Sequence, residues 1–252
     1  MARGKDPCAP AWRLGRAFSA AEIQQRLSGL SQCPTSGPGS DEEAARDSSW
    51  HHYYSEAIVG REAPGLPEAG GAFERARALV ASYAFSDPSI VRGHFDPSLE
   101  LLGRPMLLEL KVMGLRFLCG VVVRATRHDS FEDRSVFGFR YDTLQGHLEA
   151  GAEWFLLTKE HKTGDVVFRI QAAWREGDLP NWWTRVGFHT FSRPYQRAWH
   201  RLAYVRLRAA IHSRGLPPLP RARAMMHQWQ PVIGPPRDVT HAEPGVIIER
   251  ET

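Results

Sequence analysis

The hydrophobic positions change period once along the chain, and that change sets the predicted elements. Ser19-Ala20-Ala21-Glu22 fits a capping box, and Ile23, Leu27 and Leu30 follow at helical spacing, so a short helix is predicted there. Pro34 to Ser49 is rich in Pro, Gly, Ser and charge with little to bury, and reads as a flexible linker. Apolar and aromatic content resumes from Trp50 to Val59. Phe73, Ala76, Val80 and Tyr83 then predict a helix from about Ala72 to Ala84. From Ile90 to Arg175 the pattern alternates. Met106, Leu108, Leu110 and Val112 mark one strand, Phe117, Cys119, Val121 and Val123 a second, and Val166, Phe168, Ile170, Ala172 and Trp174 a last one.

Between these lies VFGFRYDTLQGHLEAGAEWF, Val136 to Phe155, which holds two further strands around a Gly-bounded connection. The first sets Phe137, Phe139, Tyr141 and Thr143 on one face, and the second begins near Ala152. With Ile90 to Phe95 the pattern gives about six strands on short connections, which favours an antiparallel sheet over a parallel one needing helical crossovers. Asp178 to Phe191 reads as a Trp-rich loop. A helix follows from Ser192, with Tyr195, Trp199, Leu202, Val205 and Ala209 on one face and Arg193, Arg197, Arg201 and Arg208 on another. The class is therefore α+β. The expected division is 1–49 for the short helix and linker, 50–215 for the folded domain, and 216–252 for a disordered tail.

Charge changes this picture only locally. The 32 basic and 28 acidic residues leave a net charge of +4, which does not demand a polyanionic partner. Yet up to Asp178 the balance is 21 basic against 24 acidic, and beyond it 11 against 4. The arginines of the last helix would suit an anionic lipid surface or RNA, while a charged outer face is also what any amphipathic helix presents. The three cysteines form no CxxC pair, and Cys119 sits in an apolar run, which predicts a reducing, cytoplasmic location without a disulfide framework. No apolar run approaches the ~20 residues of a transmembrane segment.

Candidate chemistry centres on the connection and its flanks. His147 and Glu153 would make an acid/base pair if they met, since a carboxylate fixes an imidazole's tautomer and raises its basicity. Alternatively, both serve the turn, His147 through a loop carbonyl and Glu153 through backbone N–H groups. Glu153 is in phase with Phe155 and Leu157 and so points to an apolar interior, where an ionised carboxylate needs a partner, with Arg140 or Arg169 available. Phe137, Phe139, Tyr141, Glu153, Phe155, Phe168 and Trp199 would line any ligand cavity, and Trp182, Trp183 and Phe188 its mouth. The eleven histidines are scattered, with only His51 and His52 adjacent, so a metal site is not expected. No phosphate loop, dinucleotide fingerprint or GxSxG elbow is present, and no cofactor is expected.

YDTLQGHLEAGAEWF resembles the Tyr-Gly-Thr-Leu-x-Gly-His-x-Glu-x-Gly-Glu-Glu-x-Phe motif of an uncharacterised bacterial and plant family of START-like, birch-allergen-like type. Tyr141, Thr143, Leu144, Gly146, His147, Glu149, Gly151, Glu153 and Phe155 match. So do the preceding FGF, the segment VGREAPGLPEAGGAFERARALV and the helix containing Gln196, for coverage from Trp50 to Arg208. The resemblance implies a helix-grip fold, a curved antiparallel sheet around a long C-terminal helix. It also implies an interior cavity for a hydrophobic or amphipathic small molecule. An alternative is a cofactor-independent cyclase or hydratase using His147 and Glu153, with Tyr141 as a further candidate; a second is a basic-surface adaptor. The chain departs from the family pattern at Asp142, Ala152, Gly120 and Ala173 to Arg175.

Overall fold

The computed structural model describes residues 8–177 and 182–212, with side chains from residue 195 onward in the second span. Eight strands, β1 (Ala11–Leu14), β2 (His51–Arg61), β3 (Val91–His94), β4 (Pro105–Val112), β5 (Leu115–Ser130), β6 (Arg134–Thr143), β7 (Glu149–Glu160) and β8 (Asp165–Glu176), form one antiparallel sheet. Its order is β2-β8-β7-β6-β5-β4-β3, and β1 pairs with the start of β5. The helices are α1 (Ala20–Gly29), α2 (Asp41–Arg46), α3 (Ala72–Ala81) and α4 (Trp182–His212). Because β2 and β3 occupy opposite edges, the chain between them crosses the concave face through α3. The long α4 packs on that same face, against β2 and α3. This is the α+β helix-grip arrangement.

Strand alternation explains which residues that grip buries. On the inner face Val121, Val123, Phe139, Phe155, Leu157, Phe168 and Ile170 meet Phe73, Ala76 and Val80 of α3 and Trp199, Ala203, Tyr204, Leu207 and Ile211 of α4. The buried face of α4 is wider than the stripe expected: Trp199, Leu202 and Val205 are buried as read, and Ala203, Tyr204, Leu207 and Ile211 are buried beside them. Tyr204 and Leu207 are fully buried, because the curved sheet wraps the helix more widely than a flat surface would.

Three further elements differ from the pattern reading. Residues 51–61 form a full edge strand, paired along β8 with a register shift between Ile58 and Gly60 that breaks the simple alternation. The helix is already formed at Trp182, so Trp182 to Phe191, read as part of a Trp-rich loop, are helical turns. The stretch read as a flexible linker contains α2, capped by Ser40. That segment is held by polar contacts that composition does not reveal: Arg140 on the outer face donates to Asp41 (2.7 Å), to the Pro38 carbonyl (2.7 Å) and to Asp142 (2.8 Å), and Trp154 Nε1 donates to Asp41. Ala44 and Trp50 close over Ala173.

The capping box at Ser19 and Glu22 forms as read, and α1 docks on the outer face through Ile23 and Leu27 with the flanking Phe18, Leu30 and Cys33, against Leu107, Leu118 and Leu144. Cys8 and Cys33 are joined as a disulfide around β1 and α1, leaving Cys119 as the buried free thiol. This corrects the expectation of no disulfide and removes the cysteine argument for a reducing compartment. Sequence separation hid the pair, because β1 returns alongside α1 only in three dimensions. The positions 216–252, read as a tail, lie outside the described residues.

Candidate functional site

The β6–β7 hairpin and α4 together bring polar groups into the apolar interior. Tyr141 and Glu153 are cross-strand partners on the inner face, and the Tyr141 hydroxyl donates to Glu153 Oε2. Tyr83, which follows α3, adjoins the same hydroxyl. From α4, His200 is completely buried, with Nδ1 2.6 Å from Ser55 Oγ, and that oxygen also bonds the Tyr204 hydroxyl. His200 Nε2 has no hydrogen-bond partner and faces Glu153 Oε1 at 3.9 Å, beyond hydrogen-bond reach. Trp199 Nε1 donates to Ser86 Oγ at 2.9 Å and closes one side. Polar groups thus run from Tyr83 to Tyr204, with no hydrogen bond at the Tyr83 hydroxyl or between Glu153 and His200.

Burial sets the protonation states. Desolvation pushes Glu153 up to about 8, against the stabilising Tyr141 hydrogen bond and with the help of the Glu149 charge. Glu149, four residues earlier on the same face of β7, is raised to about 7 by burial. His200 is pushed down to about 3 for the same reason, so it is neutral at pH 7. The interior therefore holds two carboxyls that resist ionisation and an imidazole that resists protonation. Neither arginine considered for Glu153 reaches it: Arg140 is taken by Asp41 and Asp142, and Arg169 lies 3.1 Å from Glu56, both on the outer face.

His147 stands elsewhere. Its Nδ1 accepts the Glu149 N–H at 3.1 Å inside the hairpin, and burial pushes it down to about 4. The connection is fixed by Gly146, whose φ of +84° is the left-handed conformation that glycine adopts without a Cβ penalty. No hydrogen bond or ion pair joins His147 to Glu153 among the described residues. Phe139 packs on Phe155, and Phe85 joins Phe155 to Phe168, all with essentially no accessible surface, while Phe137 packs against this cluster partly buried. Tyr141 and Trp199 are buried, and the Glu153 side chain is 12% exposed. Trp182, Trp183, Phe188 and Arg193 lie outside the described side chains. Arg197 and Arg208 are exposed and Arg201 is partly buried.

Sequence reasoning missed Ser55, Tyr83, His200 and Tyr204. His200 and Tyr204 recur at helical spacing with Trp199 and Ala203, a signal obscured because His reads as polar. Of the departures from the family pattern, Gly120, Asp142 and Ala173 lie on the outer face beneath the N-terminal segment. A Cβ at Gly120 would sit 2.8 Å from Leu30, so glycine there makes room for the docked N-terminal elements.

Among the described residues no cluster of His, Cys, Asp or Glu is suited to a metal ion, and no helix is long and apolar enough to cross a membrane. No protein of curated function matches the chain in sequence. Among solved structures the chain is similar to Ara h 8.0201, at 11% identity over 64% of this chain and 99% of that one, TM-score 0.37. A protein from Rhizobium leguminosarum gives 10% identity over 64% and 97%, TM-score 0.33. A point mutant of Thalictrum flavum norcoclaurine synthase, in complex with a transition-state analogue, gives 8% over 65% and 96%, TM-score 0.37. These likenesses are distant, and the fold description rests on the strand order and the gripped helix. A family model described as a domain of unknown function, DUF1990, matches residues 38–209. With the greater part of the sheet and α4 inside that match, the chain belongs to the DUF1990 family.

Proposed function

We propose that this protein binds a hydrophobic or amphipathic small molecule between the sheet and α4, at the hairpin end of the interior. The observation that carries the reading is His200 Nε2 and Glu153 Oε1, two polar atoms that face each other in an apolar interior without bonding each other. A buried polar atom without a partner is costly, and a ligand's polar end would satisfy His200 Nε2 while also reaching Glu153 Oε1. The surrounding rings of Tyr141, Phe155 and Trp199 supply an apolar wall for its body. Native mass spectrometry of the full chain purified from its own cells, with solvent extraction, tests this. A stoichiometric co-purified apolar molecule is expected, and a uniformly empty protein counts against the reading.

One observation favours a second reading, a cofactor-independent cyclase or hydratase. Glu153, held protonated at neutral pH, has the character of a general acid, and the neutral His200 beside it that of a base. In this reading His200 takes the role first considered for His147, whose ring is engaged by the hairpin backbone. Turnover of the extracted ligand by the protein, lost in His200→Ala, would select it over simple binding.

A further inference from the structure

The interior site is unusual in what it leaves open. Glu153 Oε2 accepts from Tyr141, while Oε1 is directed toward His200. Glu149 lies on the same face of β7, near enough that its charge bears on Glu153. His200 engages Ser55 through Nδ1, and Nε2 remains. Among the described residues no basic side chain faces this group. Lys159, at the far end of β7, is held by Glu62 at 2.6 Å; Arg140 and Arg169 are paired on the outer face; and His200 is neutral. The site is thus rich in acceptors and in buried carboxyl groups without a cation, next to the aromatic faces of Tyr141, Trp199 and Phe155.

From this geometry, and resting on the small-molecule reading above, we infer that the ligand carries a protonated nitrogen, seated between Glu153 and His200 Nε2 with Glu149 nearby. The atoms 3.9 Å apart are too distant to bond each other, yet one nitrogen can stand about 2.9 Å from both. An ammonium has several N–H donors and no lone pair, which matches Glu153 Oε1, a second carboxyl and Nε2 of the His200 tautomer whose Nδ1–H donates to Ser55 Oγ. It also supplies the counter-charge of the carboxylate that its arrival ionises, and aromatic rings attract such a cation from their faces. A carboxylate ligand would instead meet two carboxyls with no described basic group, and a neutral alcohol has a single donor for two atoms 3.9 Å apart. The ligand class is therefore an amine or cationic nitrogen heterocycle on an apolar body.

The groups that titrate around this position are Glu149 and Glu153 on β7, Tyr141 on β6, Tyr83 after α3 and His200 on α4. Since burial holds Glu153 largely protonated at pH 7, seating a cation there ionises it and releases a proton to buffer. Isothermal titration of the full chain with three matched probes tests the inference: 1-naphthylmethylamine, 1-naphthylmethanol and 1-naphthoate, at pH 7 in two buffers of different ionisation enthalpy. The amine is expected to bind at least about tenfold tighter than the alcohol, with proton release seen for the amine alone. Glu153→Gln should remove the amine's advantage and leave alcohol binding intact. Alcohol or naphthoate binding as tightly as the amine, or amine binding without proton release, overturns the inference while the small-molecule reading stands. Binding of none of the three overturns both. The ranking on the unaltered protein decides the matter even where the variant fails to fold.

Discussion

Glu153→Gln should make the protein more stable at neutral pH, although it removes a charged residue from the centre of the fold. The carboxyl's ordinary value is 4.5, and burial raises it to about 8 in the folded state. Below 4.5 both folded and unfolded chains hold the proton, and the group has no effect on stability. Between these values the unfolded chain loses the proton and the folded one keeps it, so stability falls as pH rises, by about 1.4 kcal/mol per pH unit. The loss reaches roughly 3 kcal/mol at pH 7 and saturates near 5 kcal/mol above pH 8. Glutamine resembles the neutral acid, and its carbonyl can still accept from the Tyr141 hydroxyl. Urea unfolding of both proteins from pH 4.5 to 9 measures the difference. The curves should meet near pH 4.5 and separate with rising pH, the variant above. A variant less stable at pH 7, or a difference independent of pH, would refute the argument that burial holds this carboxyl neutral.

Arg140→Ala leaves Asp142 and Asp41 without their cation under α2, and should cost roughly 3–5 kcal/mol; hydrogen exchange should show amides of residues 38–46 losing protection first. Cys8→Ser combined with Cys33→Ser opens a loop with a sequence separation of 25 and should cost about 3 kcal/mol in urea unfolding. In the unaltered protein under denaturing conditions, a thiol assay should count one thiol before reduction and three after. Gly138→Ala would place a Cβ 2.4 Å from the Phe155 carbonyl oxygen in the neighbouring strand, so thermal unfolding should reveal a markedly destabilised sheet or no soluble protein.

Much of the site's framework was legible because strand alternation is a local property. Once β6 and β7 are read as strands, the phase of Tyr141 and of Glu153 with Phe155 follows, and both point inward as expected. The capping box at Ser19 and Glu22 was legible for the same reason, since its hydrogen bonds close within one helical turn. His147 was legible as a turn residue, but its engagement with the Glu149 amide depends on the turn's actual path.

What the sequence could not determine were the partners brought in from afar. Ser55 and His200 are 145 residues apart, and the strand and helix that carry them meet only when the sheet curls around α4. Arg140 looked available to Glu153 because both sit in one hairpin, yet adjacent parity on a strand sends them to opposite faces, and Arg140 finds Asp41 beneath an apparent linker. The N-terminal disulfide was hidden in the same way. The sequence by itself determined α1, α3, the strands from β3 to β8 with their inward and outward faces, and the α+β class. Only the tertiary structure decided that Glu153 meets His200 and no described cation, because burial and counter-charge depend on which distant surfaces the closed sheet brings together.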